Sequence, residues 1–420
     1  MERYTEIIED RAYNLTPDDE LYEEKLLEIA SMFRTFSAAL TEFIKGHGYN
    51  GAPDDTAAKV AFLRSRYKAA EINTPRDLKD WFSSDKTLKK RDLAFQVCFA
   101  LGLNVDETND FFRRVMFERS FDCHSINEAV YYFCIRNGLL YMDAKEIIAL
   151  MPNVDNQGRV NTQDDDVLYT GTIIEFINGI NSKDELVAYI NEHISQFGYN
   201  NATATKHIQD LWDIISRKEG LAYREGLLLA EANAYRIGED ENDYDNDDDA
   251  VTTVTAEPDS VWKIYCQMLG LDKYQTTRYG VNRSIKPLLE KNNLLPPLAE
   301  AKFPDRDGIE KIVNGVHVSP ERIRKLMILL EFYVYWADLI VKAKNAFNES
   351  GMIDAERFLA KADRYLVEAG YPPLYQGNPY DWIFMWAIKD STPLYTFREY
   401  MNELFAYKGA PLLRFEDEEA

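Results

Sequence analysis

An all-α fold is what this sequence predicts, with two related multi-helix domains joined by a helical connector and an acidic disordered linker. Three observations carry that reading. Strand-like alternation is scarce, apolar residues recur at helical spacing through most of the chain, and two N-terminal blocks return in the same order near the C-terminus. The 420 residues exceed one ordinary core, so more than one domain is expected. With 46% apolar and 13% aromatic residues, burial needs no disulfide staple.

Taken in order, the first element is a long helix 17–45. Thr16 is placed to cap it, Pro17 suits its first position, and Asp18, Asp19 and Glu20 complement the positive helix end. Tyr22, Leu26, Ile29, Phe33, Phe36, Leu40 and Phe43 form a seam of alternating four- and three-residue steps. Such a seam serves either a homodimer through the helix 17–45 or packing within the chain's own domain.

Shorter helices follow, with starts expected at Thr56, Pro75, Leu88, Val105, Ile126 and Met142, punctuated by Gly102, Asn104, Asn137 and Gly138. The polar stretch from Pro152 to Asp166 closes a first domain, 1–155. A connector, 156–237, carries helices over Lys183–Gln196 and Thr203–Lys218. Next, Glu239, Asp240, Glu241, Asp243, Asp245, Asp247, Asp248 and Asp249 crowd a tract without apolar anchors, which predicts a disordered linker, 238–258. A calcium loop needs Gly and Glu at its sixth and twelfth positions, where a count from Asp243 finds Asp248 and Val254. Helices resume from Ser260 and fill the last domain, 259–420.

The repeat rests on two blocks. Phe117–Ile135 aligns with Tyr371–Lys389 at an offset of 254, and Arg76–Leu101 aligns with Arg306–Leu330 with one gap. The stretch from Ile309 to Leu330 resembles the second half of a Cro/CI (XRE)-type helix-turn-helix. That resemblance makes Ile309–Asn314 a recognition helix, Gly315 the turn and Ser319 the cap of the next helix. The N-terminal copy is a more worn version, with Ser83–Thr87 as its turn and Asp77 and Asp80 near the would-be interface. The resemblance covers roughly 30 to 60 residues per copy and implies a DNA-binding regulator.

Charge restricts how such a regulator could work. Acidic residues outnumber basic ones 71 to 48, net −23, so the molecule as a whole repels polyanions. Between Lys59 and Arg91, however, ten basic residues face four acidic ones. The residues expected on phosphates are Arg64, Arg66, Lys68, Lys79, Lys86, Lys89, Lys90 and Arg91, with double-stranded DNA as the partner. The alternative reading of that cluster is pairing with the chain's own acidic surface.

No enzyme is expected. The histidines at 47, 124, 193, 207 and 317 lack metal-binding spacing, and no phosphate-binding loop motif occurs. Cys123 and His124 are neighbours, a poor arrangement for a nucleophile and its base. Neither metal nor cofactor is therefore expected; Asp164, Asp165 and Asp166 read as a solvated loop. The minor alternative is an enzyme whose carboxylates converge from distant helices. Aromatic runs at Tyr131–Phe133 and Trp382–Trp386 have core spacing, although a base-stacking surface would need the same residue types. Four dispersed cysteines and the lack of a membrane-spanning stretch fit a cytoplasmic protein. The competing functional class is a helical protein–protein interaction scaffold, for example in stress response or phage defence.

Overall fold

A computed structural model of the chain describes residues 15–33, 35–83, 88, 90–154, 170–198, 202–229, 261–271, 285–295, 298, 303–304, 306–314, 318, 320–343, 351–369 and 371–407. The expected acidic linker, Lys86, Lys89, Gly315, His317, Ser319 and Asp164–Asp166 lie outside the described residues. All regular elements among those described are helical, with no strand. No described helix is long and apolar enough to cross a membrane.

The chain divides into two compact units. Residues 34–202 with 369–372 form a central unit, and residues 1–33, 203–368 and 373–420 form a flanking unit. This grouping follows packing rather than sequence order: the N-terminal stretch joins the C-terminal part, and the connector is divided near residue 202.

In place of one helix 17–45 there are two, α1 (Tyr22–Ser31) and α2 (Phe36–Gly46). The first starts later than Pro17 because Asp19 turns its carboxylate onto the Leu21 N–H and Lys25. The second starts afresh because Thr35 is extended and its hydroxyl accepts from Ala38 N. The apolar seam is therefore split. Tyr22, Leu26 and Ile29 are buried on α1, Phe36 and Leu40 on α2, all against the chain itself. That burial removes the face on which a homodimer through helix 17–45 would have rested.

The central unit continues with α3 (Thr56–Ala69), α4 (Asp80–Ser83), α5 (Arg91–Leu101), α6 (Val105–Phe111), α7 (Ile126–Arg136), α8 (Tyr141–Ala149), α9 (Thr170–Asn178) and α10 (Lys183–Glu192). Several boundaries have visible causes. Asp55, Asn104, Ser125 and Ser182 cap α3, α6, α7 and α10 through their side chains. Gly102 ends α5 at φ +69°, a left-handed position that other residues adopt at a cost. Phe95, Phe99, Phe111, Phe112, Phe121 and Tyr131 fill the core between these helices.

The flanking unit adds α11 (Ala202–Ser216), a helical run over 221–229, α12 (Val261–Leu269), α13 (Lys286–Lys291), α14 (Arg306–Val313), α15 (Pro320–Ala343), α16 (Gly351–Glu368), α17 (Pro379–Ala387) and α18 (Pro393–Tyr407). α1 lies on α17: Trp382 Nε1 donates to Leu26 O at 2.8 Å, and Tyr22 OH donates to Met385 O at 2.9 Å. Deeper in the unit, Arg398 binds Glu225 through Nη1 at 2.7 Å, and Tyr333 OH donates to the same carboxylate at 2.6 Å.

Each unit contains an arginine clamp of one design. In the central unit Arg91 forks onto Glu128, the third residue of α7, at 2.7 and 2.8 Å, while Glu128 also accepts from Asp122 N. In the flanking unit Arg324 forks onto Asp381, the third residue of α17, at 2.7 Å on each oxygen, while Asp381 accepts from Tyr375 N. Arg91 also donates to Ser120 O and Arg324 to Pro373 O. The carboxylates, the helix caps Ser125 and Asn378, and these carbonyls all correspond at an offset of 253. The offset of 254 expected from sequence is thus one residue too long, and the arginine of the flanking unit sits one helical turn deeper in its helix.

Candidate nucleic-acid interface

The basic cluster centres on α3, whose two sides differ sharply. Lys59, Val60, Leu63 and Tyr67 face inward. Ala57, Ala61, Arg64, Ser65 and Lys68 face solvent and include no carboxylate. Arg64 and Lys68, four residues apart, project from one side of the helix. Neither forms an ion pair among the described residues. Lys79 is also exposed, in the turn before α4, as is Lys90, immediately before α5.

Other members of the cluster have structural duties. Lys59 is buried: its ammonium donates to Pro53 O at 2.8 Å and Thr41 Oγ1 at 3.3 Å and lies over the Phe82 ring. Burial lowers its pKa, and Asp54 and Asp55 oppose that shift. Arg66, half-buried, donates to His47 O at 3.3 Å and packs over Phe62. Gly48, at φ +101°, leaves room for that guanidinium, since a Cβ there would come within 3.0 Å of it. Arg66 therefore tethers the end of α2 while part of it remains at the surface.

Arg91 departs most from expectation. Its five N–H groups are directed to Glu128, Glu118, Arg119 O and Ser120 O, and its guanidinium lies over Phe112 at 4.9 Å. A phosphate would have to displace two carboxylates from a largely buried site. Arg91 is a clamp residue and is withdrawn from the phosphate-binding set. Nothing local in the sequence marked its role, because Glu128 lies 37 residues away.

The would-be recognition segments also differ from the expectation. In the N-terminal copy Arg76–Lys79 is a turn, and α4 is only four residues long, with Trp81 and Phe82 buried. In the C-terminal copy α14 forms, but Ile309, Ile312 and Val313 are buried, leaving Lys311 exposed and Glu310 partly so. The aromatic runs have the same fate: Tyr131, Tyr132, Phe133, Trp382, Phe384 and Trp386 are all buried.

Titratable groups elsewhere are similarly absorbed. The Nδ1 atoms of His47, His124 and His193 lie against the carbonyls of Phe43, Gln196 and Tyr189 at 2.8 to 3.0 Å. Cys123 is buried and its thiol is pushed well up by that burial, the opposite of nucleophile activation. Among the described residues no group of three His, Cys, Asp or Glu side chains is placed to hold a metal ion. Compared with known proteins, the chain matches no family model, no curated protein and no solved structure.

Proposed function

We propose that the chain is a non-enzymatic DNA-binding regulator whose central unit docks on duplex phosphates through the outward face of α3. The observation that carries this is the carboxylate-free surface of Arg64 and Lys68 on a molecule of net −23. Arg66, Lys79 and Lys90 are the accompanying cations, and Arg91 is left out for the reason given above. A patch this small neutralises few phosphates, so binding is weak and its salt dependence shallow. The resemblance to helix-turn-helix proteins enters as ancestry, and the shared clamp supports a common origin for the two units. Base reading is not assigned to Ile309–Asn314, whose apolar side is occupied by the core.

Fluorescence anisotropy with a random duplex across a salt series tests the proposal. Affinity should fall as salt rises, with a slope set by the few phosphates neutralised, and Arg64→Glu with Lys68→Glu should abolish binding without changing thermal stability. No binding by the unmodified chain at low salt would exclude the proposal.

A second reading, an interaction scaffold, is favoured by a different observation. Leu140, Met142, Leu150 and Phe176 of the central unit are 46 to 69% exposed, an unusual density of large apolar side chains for one small region of sequence.

A further inference from the structure

The two units treat one of their shared helices differently. α8 of the central unit and α18 of the flanking unit correspond at the same offset of 253 that relates the clamps: Tyr141, Ala144 and Ile147 are buried on α8 where Leu394, Phe397 and Tyr400 are buried on α18. Their outward sides diverge. Arg398 of α18 is 5% exposed because the last turn of α12 lies on it. Its guanidinium donates to Gln267 O at 2.9 Å and pairs with Glu225 at 2.7 Å, and a Cβ on Gly270 would come within 2.6 Å of its side chain. The corresponding residue of α8, Lys145, is exposed, lies over the Tyr141 ring at 6.0 Å and forms no ion pair among the described residues. Met142, one turn before it, is 46% exposed, whereas its counterpart Tyr395 is half-buried.

The difference traces to α2, the central unit's counterpart of α12. Gly48 and Gly270 both take a left-handed φ after these helices, and the closing turns repeat: Gly48 N donates to Lys45 O and Tyr49 N to Ile44 O, as Gly270 N does to Gln267 O and Leu271 N to Cys266 O. The end of α12 is met by Arg398 from α18, whereas the end of α2 is met by Arg66 from α3. α8 thus keeps the cation and the apolar neighbour of a helix seat, and both are left at the surface. We propose that Met142 and Lys145 receive the C-terminal end of an amphipathic helix from a partner protein. Met142 packs on its apolar side, and Lys145 meets its last carbonyls and a carboxylate, the groups that α12 and Glu225 present to Arg398. A cation is favoured at that negative end. Asp143 and Glu146 on the same helix oppose a polyanion at this place. The proposal rests on the interaction-scaffold reading and gives it a defined seat.

The probe is a peptide of residues 260–271, SVWKIYCQMLGL with C266S, made once with a free C-terminal carboxylate and once as the amide. It is titrated into the full chain labelled with 13C at the methionine methyls, with Met142 assigned through Met142→Leu. The free-acid peptide should shift the Met142 signal saturably and the amide should bind more weakly. Lys145→Glu, an exposed change that should leave Tm unaltered, should reduce affinity roughly fivefold or more. Four results would overturn the proposal. A shift at Met268 with Met142 silent means that the peptide displaces α12 instead. No shift at any methionine up to millimolar peptide means that α8 offers no seat. A Met142 shift that Lys145→Glu leaves unchanged removes the cation from the site. Self-association of the chain, abolished by Lys145→Glu in sedimentation, makes a second copy the occupant. The scaffold reading is judged separately by Met151, next to Leu150: a shift there with Met142 silent keeps an apolar interaction surface and moves it off this seat.

Discussion

Arg91 directs all five of its N–H groups to acceptors within the central unit. Removing its side chain takes the guanidinium from Glu128 and Glu118, two largely buried carboxylates, so Arg91→Ala should cost about 3 kcal/mol or more. Urea denaturation followed by circular dichroism measures this, and Arg91→Lys should recover only part of the loss because an ammonium cannot fork. A loss no larger than that of Arg64→Ala would show that the clamp is ornamental. Glu331 gives a prediction of the opposite chemical kind. Burial raises its pKa, but the ion-pair contacts with His207 and Lys361 outweigh burial and hold the carboxyl below its ordinary 4.5. A carboxyl depressed in the folded state contributes stability that is complete above pH 4.5 and is lost as pH falls through the lower folded value. Glu331→Gln should therefore be less stable than the unmodified chain near pH 7, with a shallower decline in acid. Parallel urea midpoints from pH 7 to pH 3 would contradict this.

Among elements, α5 offers the simplest test of boundary chemistry. A Cβ on Gly102 would meet nothing within 4 Å, so Gly102→Ala isolates the cost of the left-handed backbone, about 1 kcal/mol. A neutral result in urea denaturation would mean that the turn relaxes to another conformation. The same chemistry explains which elements could be read in advance. Thr56, Val105 and Ile126 were expected as helix starts and are helix starts, since Asp55, Asn104 and Ser125 announce them with local caps. The expected starts at Pro75 and Leu88 failed, because Arg76–Lys79 closes as turns and α5 waits until Arg91. The break between α1 and α2 is masked in the sequence because a seven-residue apolar repeat runs unbroken through Phe33 and Phe36 while Thr35 caps the second helix. For the interface, residue counts located a cationic region. They could not separate Arg64 from Arg91, whose fates depend on residues distant in sequence.

On the scale of the whole molecule, the negative charge decides how any polyanion is approached. Net −23 makes long-range attraction to DNA unfavourable, so complexes through α3 should form slowly and gain rate as salt screens the repulsion, even while their affinity falls. Stopped-flow mixing at two ionic strengths distinguishes this from ordinary steering, in which association slows with salt. Faster association at the lower ionic strength would place the contact on a surface with a more positive field than α3 provides.

The seating of Trp382 on the Leu26 carbonyl has a temporal consequence for a chain made from its N-terminus. The two residues are 356 positions apart. At about 5–20 residues per second a ribosome needs roughly twenty to seventy seconds to pass from one to the other. Throughout that interval Tyr22, Leu26 and Ile29 are without the partner helix that finally shelters them, while residues 34–202 are complete much earlier. The nascent chain thus carries the apolar stripe of α1 uncovered for that interval, a stretch open to aggregation until α17 emerges.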